Sequence, residues 1–134
     1  SHIMVGSNDI DRSKKFYDAL LGSLGAKPAI VDDKGRLIYM NKDGLFLVTT
    51  PIDGKAATGA NGGTIGFACD TQAQVDAWHA AGVANGGTSI EDPPGIREGG
   101  FGQLYLAYLR DPDGADNGSL KRTLRSGFTL AGTT

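Results

Sequence analysis

The chain has 134 residues, the size of one ordinary domain, and its 40% hydrophobic and 21% charged residues are enough for a packed core and argue against disorder. Thirteen Lys plus Arg against fifteen Asp plus Glu leave a net charge of −2, which speaks against a nucleic-acid partner, whose footprint is a basic excess. No apolar run reaches the ~18 residues a bilayer needs, no signal-peptide core is read near the start, and a single cysteine makes no internal disulfide, so the expectation is a cytoplasmic protein with no membrane partner.

The opening segment alternates His2 and Met4 against Ile3 and Val5, the period of a strand with two distinct faces. Ser7, Asn8 and Asp9 offer helix N-caps, and Ile10, Tyr17, Leu20, Leu21 and Leu24 form an apolar stripe that Gly25 is placed to end. Three strand-like runs follow, Lys27–Val31, Leu37–Met40 and Leu45–Thr49, separated by turns rich in Asp, Asn and Gly. After the glycine-rich stretch Gly59–Gly63 comes a strand at Thr64–Cys69, then a helix capped by Asp70 or Thr71 with Val75, Trp78 and Ala81 inward and Gly82 as its stop. A weak strand signal covers Thr88–Ile90, a strong one Gln103–Leu109, and the Gly- and Pro-rich stretch from Pro93 to Phe101 between them reads as a loop.

The order β-α-β-β-β thus occurs twice. A shift of 62 residues carries His2 onto Thr64 and Phe16-Tyr17 onto Trp78-His79, and a shift of 70 carries Asn41–Gly44 onto Asp111–Gly114. We read one domain, residues 1–134, made of a first module (1–58) and a second (59–134). The tail, 115–134, departs from the pattern: Ala115-Asp116-Asn117-Gly118-Ser119 lacks an apolar strand rhythm, and Leu120, Leu124, Phe128 and Leu130 are its sizeable apolar anchors. Either the closing strand starts late, near Leu120, or this end follows another plan. In the second case the second sheet keeps an unpaired edge, which favours pairing with a partner or disorder.

Three pieces carry a resemblance to a known family: His2–Asp9 followed by Arg12-Ser13-Lys14-Lys15-Phe16-Tyr17, then Gly63–Phe67, then Tyr108-Leu109-Arg110-Asp111-Pro112-Asp113-Gly114. Together they resemble the vicinal-oxygen-chelate superfamily of glyoxalase I, bleomycin-resistance proteins and extradiol dioxygenases. The resemblance implies an α+β fold of two β-α-β-β-β modules, a curved mixed sheet around a groove that binds a small molecule, and pairing of two chains into a homodimer. In the metal-using members, ligands come from the first and fourth strands of each half. Here His2 matches the first-strand ligand, whereas Thr64, Leu47 or Val48, and Asn117 or Gly118 stand at the others. A divalent metal with open coordination positions needs two to four His or carboxylate ligands converging from different strands. The expectation is therefore no cofactor, with a divalent metal at His2 as the other possibility. A Ser-His pair just ahead of a Met is also what an expression vector leaves behind, so His2 carries two readings.

The candidate groove residues are His2, Met4, Met40, Leu47, Thr64, Gly66, Arg97, Tyr105 and Tyr108. Methionines make an adaptable wall, and an aromatic ring stacks on a flat ligand. Tyr105 and Tyr108 have opposite parity, so only one can face the groove. Arg97 is suited to an anionic substituent, or is a solvated loop charge. Cys69 reads as a buried inert thiol, His79 as a surface or boundary residue, and Asp111 and Asp113 as turn-formers. No catalytic residue is assigned. Three functions remain open: a small-molecule-binding protein without the full metal site, a metal-dependent glyoxalase-type lyase, isomerase or dioxygenase, and a structural or interaction module that kept the fold alone.

Overall fold

The computed structural model describes residues 1–100 and 102–123, the last strand by its backbone. The elements run β1 (His2–Gly6), α1 (Ile10–Gly22), β2 (Ile30–Val31), β3 (Leu37–Asn41), β4 (Gly44–Thr49), β5 (Thr64–Ala68), α2 (Gln72–Ala84), β6 (Thr88–Gly99), β7 (Gly102–Arg110) and β8 (Asp116–Thr123). They form two four-stranded mixed sheets of matching order, β1-β4-β3-β2 and β5-β8-β7-β6, in which β1–β4 and β5–β8 are the parallel pairs. The α+β fold with a curved, unclosed mixed sheet is the one expected.

Local chemistry accounts for the helix starts. Asp9 caps α1 by accepting from the Arg12 N–H, and Thr71 caps α2 by accepting from the Gln74 N–H. Gly25 follows α1 at φ +87°, a conformation that costs a glycine nothing. Gly82 does not stop α2, which runs on to Ala84. It is a packing glycine: a Cβ there would collide with Leu109 Cδ1 and come within 3.0 Å of Leu20 Cδ1. The turn past this helix is made instead by Gly86 at φ +101°.

Strand bounds differ from expectation at three places, each with a local cause. The run from Lys27 shortens to Ile30–Val31 because Pro28 has no N–H and the Ala29 N–H is taken by Asp18 Oδ1 at 2.9 Å. The stretch read as a loop from Pro93 belongs mostly to β6, where the register jumps from Ile90↔Tyr108 to Gly95↔Leu106. Glu91 to Pro94 bulge out of the ladder there, so both prolines fall where no ladder N–H is required. β8 begins at Asp116, not near Leu120, and lies between β5 and β7 as an inner strand. The edges of the second sheet are therefore β5 and β6. Leu124, Phe128 and Leu130 lie outside the described residues.

Alternation sorts each sheet into two faces. Ile3, Phe46 and Tyr39 stand in register, as do Val5, Val48 and Leu37, and these rows face the helices; Ile65 and Phe67 of β5 and Tyr105, Ala107 and Leu109 of β7 do the same in the second sheet. The core lies on this side. Trp78, Tyr17, Phe16, Leu20, Leu37 and Leu109 are its largest fully buried side chains. An aromatic chain crosses from one module to the other, with ring centroids 4.9 Å apart for Tyr17–Phe46, 5.6 Å for Phe46–Phe67 and 6.4 Å for Phe67–Trp78.

The opening motif and the Asp111–Gly114 turn meet at one polar joint. Asp113 accepts from the Asn8 N–H, the Arg12 guanidinium and the Ser13 hydroxyl, at 3.0, 2.9 and 3.2 Å. The Tyr17 hydroxyl donates to Asp111 Oδ2 at 2.6 Å, while Asp111 Oδ1 accepts from the N–H groups of Asp113 and Ala115. Asn8 pairs through its amide with both backbone groups of Ala57. The motif residues are thus the clamp that holds the start of α1 to the β7–β8 turn.

Candidate functional site

The helix-free sheet faces hold most of the candidate residues. On the first sheet His2, Leu45 and Met40 form one row and Met4, Leu47 and Ile38 the next. Met4, Leu45 and Met40 are 41%, 40% and 57% exposed, whereas Leu47 between them is buried. On the second sheet Thr64 and Gly66 are exposed, on the same face of β5, and Tyr108 stands on the helix-free face of β7.

Two candidates are placed differently from their expected role. Tyr105 turns to the helix face, where it packs against the core and its hydroxyl donates to Asp76 Oδ1 of α2 at 2.7 Å. Of the two tyrosines only Tyr108 is on the helix-free face. The Arg97 guanidinium is bonded to the carbonyls of Gly95, Leu106 and Asp92, at 2.9, 3.2 and 2.8 Å. It ties down the β6 bulge, the usual work of a cation among carbonyls without their ladder partners, and is not held out toward a ligand.

The strand register sorts the positions that the resemblance matches to metal ligands: Leu47 and Gly118, not Val48 and Asn117, share a sheet face with His2 and Thr64. His2 pairs with Leu45 and Met4 with Leu47 in the first sheet, and Thr64 pairs with Asp116 and Gly66 with Gly118 in the second. The offset between fourth strands is thus 71 residues, one more than the turn sequences suggest, and Leu47 corresponds to Gly118. An imidazole, a hydroxyl, an isobutyl group and a bare backbone stand at these positions. They do not fit a divalent metal centre, which needs several His or carboxylate donors. Among the described residues no group of three or more His, Cys, Asp or Glu side chains converges.

Other titratable groups serve the framework. His79 Nε2 lies 2.9 Å from Ser89 Oγ, and burial lowers its pKa against the opposing charge of Asp76. Burial raises the pKa of Asp111 although three donors, Tyr17 foremost, pull it back. At Asp18 burial works in the same upward direction, yet bonds from Lys14, the Ala29 N–H and the Tyr39 hydroxyl outweigh it and hold the carboxyl below its ordinary value. Cys69 is buried and in no disulfide, and its thiol donates to the Phe67 carbonyl at 4.0 Å.

The large cavity is a cleft of about 780 Å³ between the two sheets. Its walls come from the start of β1, the end of α1 and the segment up to Pro28, the β3–β4 hairpin, and Ile65–Phe67 of β5. His2, Met40 and Gly66 line it; Met4, Leu47, Thr64, Arg97, Tyr105 and Tyr108 do not. The apolar wall formed by Leu21, Leu24, Phe46 and Phe67 was not foreseen as a binding surface. Helical and strand periodicity mark these residues as core, and nothing in periodicity shows where two core surfaces stand apart.

No helix among the described residues is long and apolar enough to cross a membrane. No curated protein matches the chain. A solved glyoxalase/bleomycin resistance protein from Albidiferax ferrireducens T118 is 56% identical, with 91% of this chain and 98% of that one covered and a TM-score of 0.88. A lactoylglutathione lyase from Agrobacterium tumefaciens shares the fold at 19% identity and a TM-score of 0.61, over 89% of this chain and 90% of its own. The sequence profile of the Glyoxalase/Bleomycin resistance protein/Dioxygenase superfamily matches residues 1–117, and with the paired modules and their motif clamp the chain belongs to that superfamily.

Proposed function

We propose that this protein holds a small molecule in the cleft between its sheets and does so without the metal centre that the fold hosts in other members. The observation that carries the reading is the donor set: the positions that the resemblance matches to metal ligands, sorted by strand face, hold His2, Leu47, Thr64 and Gly118. One imidazole and one hydroxyl do not retain a divalent ion against water, so neither Lewis-acid activation nor a metal-bound nucleophile has a place to form. The cleft supports the binding half of the reading. Its volume of about 780 Å³ lies in the range of small-molecule sites, roughly 300–1,000 Å³. Both modules contribute to its wall, so a bound molecule bridges them.

A thermal-shift screen tests both halves. Ligands that bind the native state raise the melting temperature saturably, by mass action. A stabilising hit among apolar small molecules, with no saturable rise for Ni, Zn, Mn or Fe(II), is the expected result. Stoichiometric metal that disappears in His2→Ala would establish the metal-dependent lyase, isomerase or dioxygenase in its place. No hit at all would leave the fold serving as an interaction module.

The working form in this reading is a homodimer. Met4, Met40 and Leu45 expose apolar surface on the helix-free face of the first sheet, and β1, β2, β5 and β6 are edge strands. Light scattering at micromolar concentration is expected to return twice the chain mass, and a monomer there removes this part of the proposal.

A further inference from the structure

The geometry points to an aromatic anion as the ligand class of the cleft: a flat apolar body against Phe46 and Phe67, with a carboxylate or sulfonate at the mouth beside Lys27. This rests on the small-molecule reading above and narrows it to one chemistry. The floor is aromatic and joins the modules, since the rings of Phe46 and Phe67 meet edge to face at 5.6 Å and 79°. A third flat ring extends that arrangement, because the edge of one aromatic carries the charge complementary to the face of the next. Leu21, Leu24 and Ile65 add aliphatic wall. Tyr39 offers no free hydroxyl inward, as its O–H is donated to Asp18 Oδ1 at 2.8 Å. The inner part of the cleft therefore gives a ligand contact area and little hydrogen bonding.

The charged groups are at the mouth. Lys27 lines the cleft from the segment between α1 and β2. That segment is fixed on both sides, by the Ala26 N–H on Leu21 O at 3.0 Å and the Ala29 N–H on Asp18 Oδ1 at 2.9 Å, with Pro28 between. Lys27 makes no hydrogen bond or ion pair with the described residues, so its ammonium is available to an incoming anion. The His2 imidazole also lines the cleft and offers a hydrogen-bond partner there. Asp43, the one carboxylate there, sits in the hairpin turn whose N–H groups are tied to Asn41 Oδ1. Lys27 is thus the side-chain ammonium open to a ligand at the cleft, and a substituent placed against it is favoured when anionic over cationic.

The test uses the full chain and two dyes that differ by one group, 1-anilinonaphthalene-8-sulfonate and uncharged N-phenyl-1-naphthylamine, followed by fluorescence titration. Both are expected to bind saturably at one per chain, the sulfonate more tightly. Lys27→Glu is expected to weaken the sulfonate by about fivefold and leave the neutral dye unchanged, the scale of an exposed ion pair. Ala26→Trp, which puts a ring into the cleft wall, is expected to abolish both while the far-UV circular dichroism is retained. Lys27 is exposed, so its variant keeps the question answerable should the tryptophan variant misfold. No saturable binding of either dye would overturn the cleft reading together with the ligand class. Equal binding of both dyes, unmoved by Lys27→Glu, would overturn the anion and leave the cleft. Dye bound per chain that falls as protein concentration rises, with dye in excess, would give the cleft to a second copy of the chain and overturn the proposal.

Discussion

Replacing Gly82 with Ala sets helix propensity against packing at one atom. In an exposed helix interior the change would stabilise by about 0.8–1.0 kcal/mol, because Ala loses less backbone entropy on folding. Gly82 is buried, and the new Cβ would collide with Leu109 Cδ1, approach Leu20 Cδ1 to 3.0 Å and Phe16 Cε2 to 3.4 Å. Leu20, Leu109 and Phe16 are themselves fully buried, so they yield only by disturbing other core contacts. Overpacking of this kind costs about 1–3 kcal/mol. The sum is a loss of roughly 0–2 kcal/mol for Gly82→Ala. Gly22, the last residue of α1, has nothing within 4 Å of its added Cβ and is the matched control. There the same substitution is expected to be neutral or to stabilise by up to ~1 kcal/mol. Urea unfolding followed by the fluorescence of Trp78, the single tryptophan, reads both. A Gly82→Ala variant that gains the ~1 kcal/mol of helix propensity would refute the packing argument and make Gly82 an ordinary helical glycine.

The joint between the motifs yields two further expectations. Asp113→Ala removes the acceptor of Arg12, Ser13 and the Asn8 N–H and is expected to cost about 2–4 kcal/mol, read from the urea midpoint; a loss within 0.5 kcal/mol, as for an ordinary surface change, would make the contacts incidental. Tyr17→Phe leaves the buried Asp111 carboxylate without its 2.6 Å donor and is expected to cost about 1–3 kcal/mol at neutral pH and less in acid, where Asp111 protonates; an equal loss at both pH values would deny the charge its part. Asp18 has a folded pKa below its unfolded value, so its contribution is present above the unfolded value near ~3.9 and is lost as pH falls through the folded one. Asp18→Asn is therefore expected to flatten the acid limb of stability against pH in that window, and parallel limbs for the two proteins would refute it.

Much of this fold was legible because its punctuation is local. The caps Asp9 and Thr71, the glycine at φ +87° after α1, and the alternation of His2 and Met4 against Ile3 and Val5 are decided by neighbours in sequence. The misreadings share the opposite property. Gly82 looks like a stop from sequence because its reason for being glycine lies on Leu109, in a strand of the same module but distant in the chain. Pro93 and Pro94 read as loop because the bulge that accommodates them is defined only by pairing with β7. Arg97 offered a free charge on paper, but the carbonyls that occupy it belong to that bulge and to Leu106. Parity put the two tyrosines on opposite faces; that Tyr105 is the one turned to the helices required knowing that Asp76 of α2 takes its hydroxyl, and neither ring lines the cleft.

The residues by which the family is read are therefore not the residues that determine chemistry. Asn8, Ser13, Tyr17, Asp111 and Asp113, which carry the resemblance, fasten α1 to the β7–β8 turn in this chain. The positions that the resemblance matches to metal ligands lie outside that clamp, and Leu47 and Gly118 there bring no side-chain donor. A framework clamp that lies apart from the site is what allows one fold to serve several activities. It follows that variants of the clamp should act on stability and variants of the cleft on binding. The two sets approach each other at Tyr39, whose ring lines the cleft while its hydroxyl holds Asp18 beside the segment carrying Lys27. Tyr39→Phe removes only the hydroxyl, so a change in ligand affinity with little change in unfolding midpoint would locate the coupling between framework and site in that single bond.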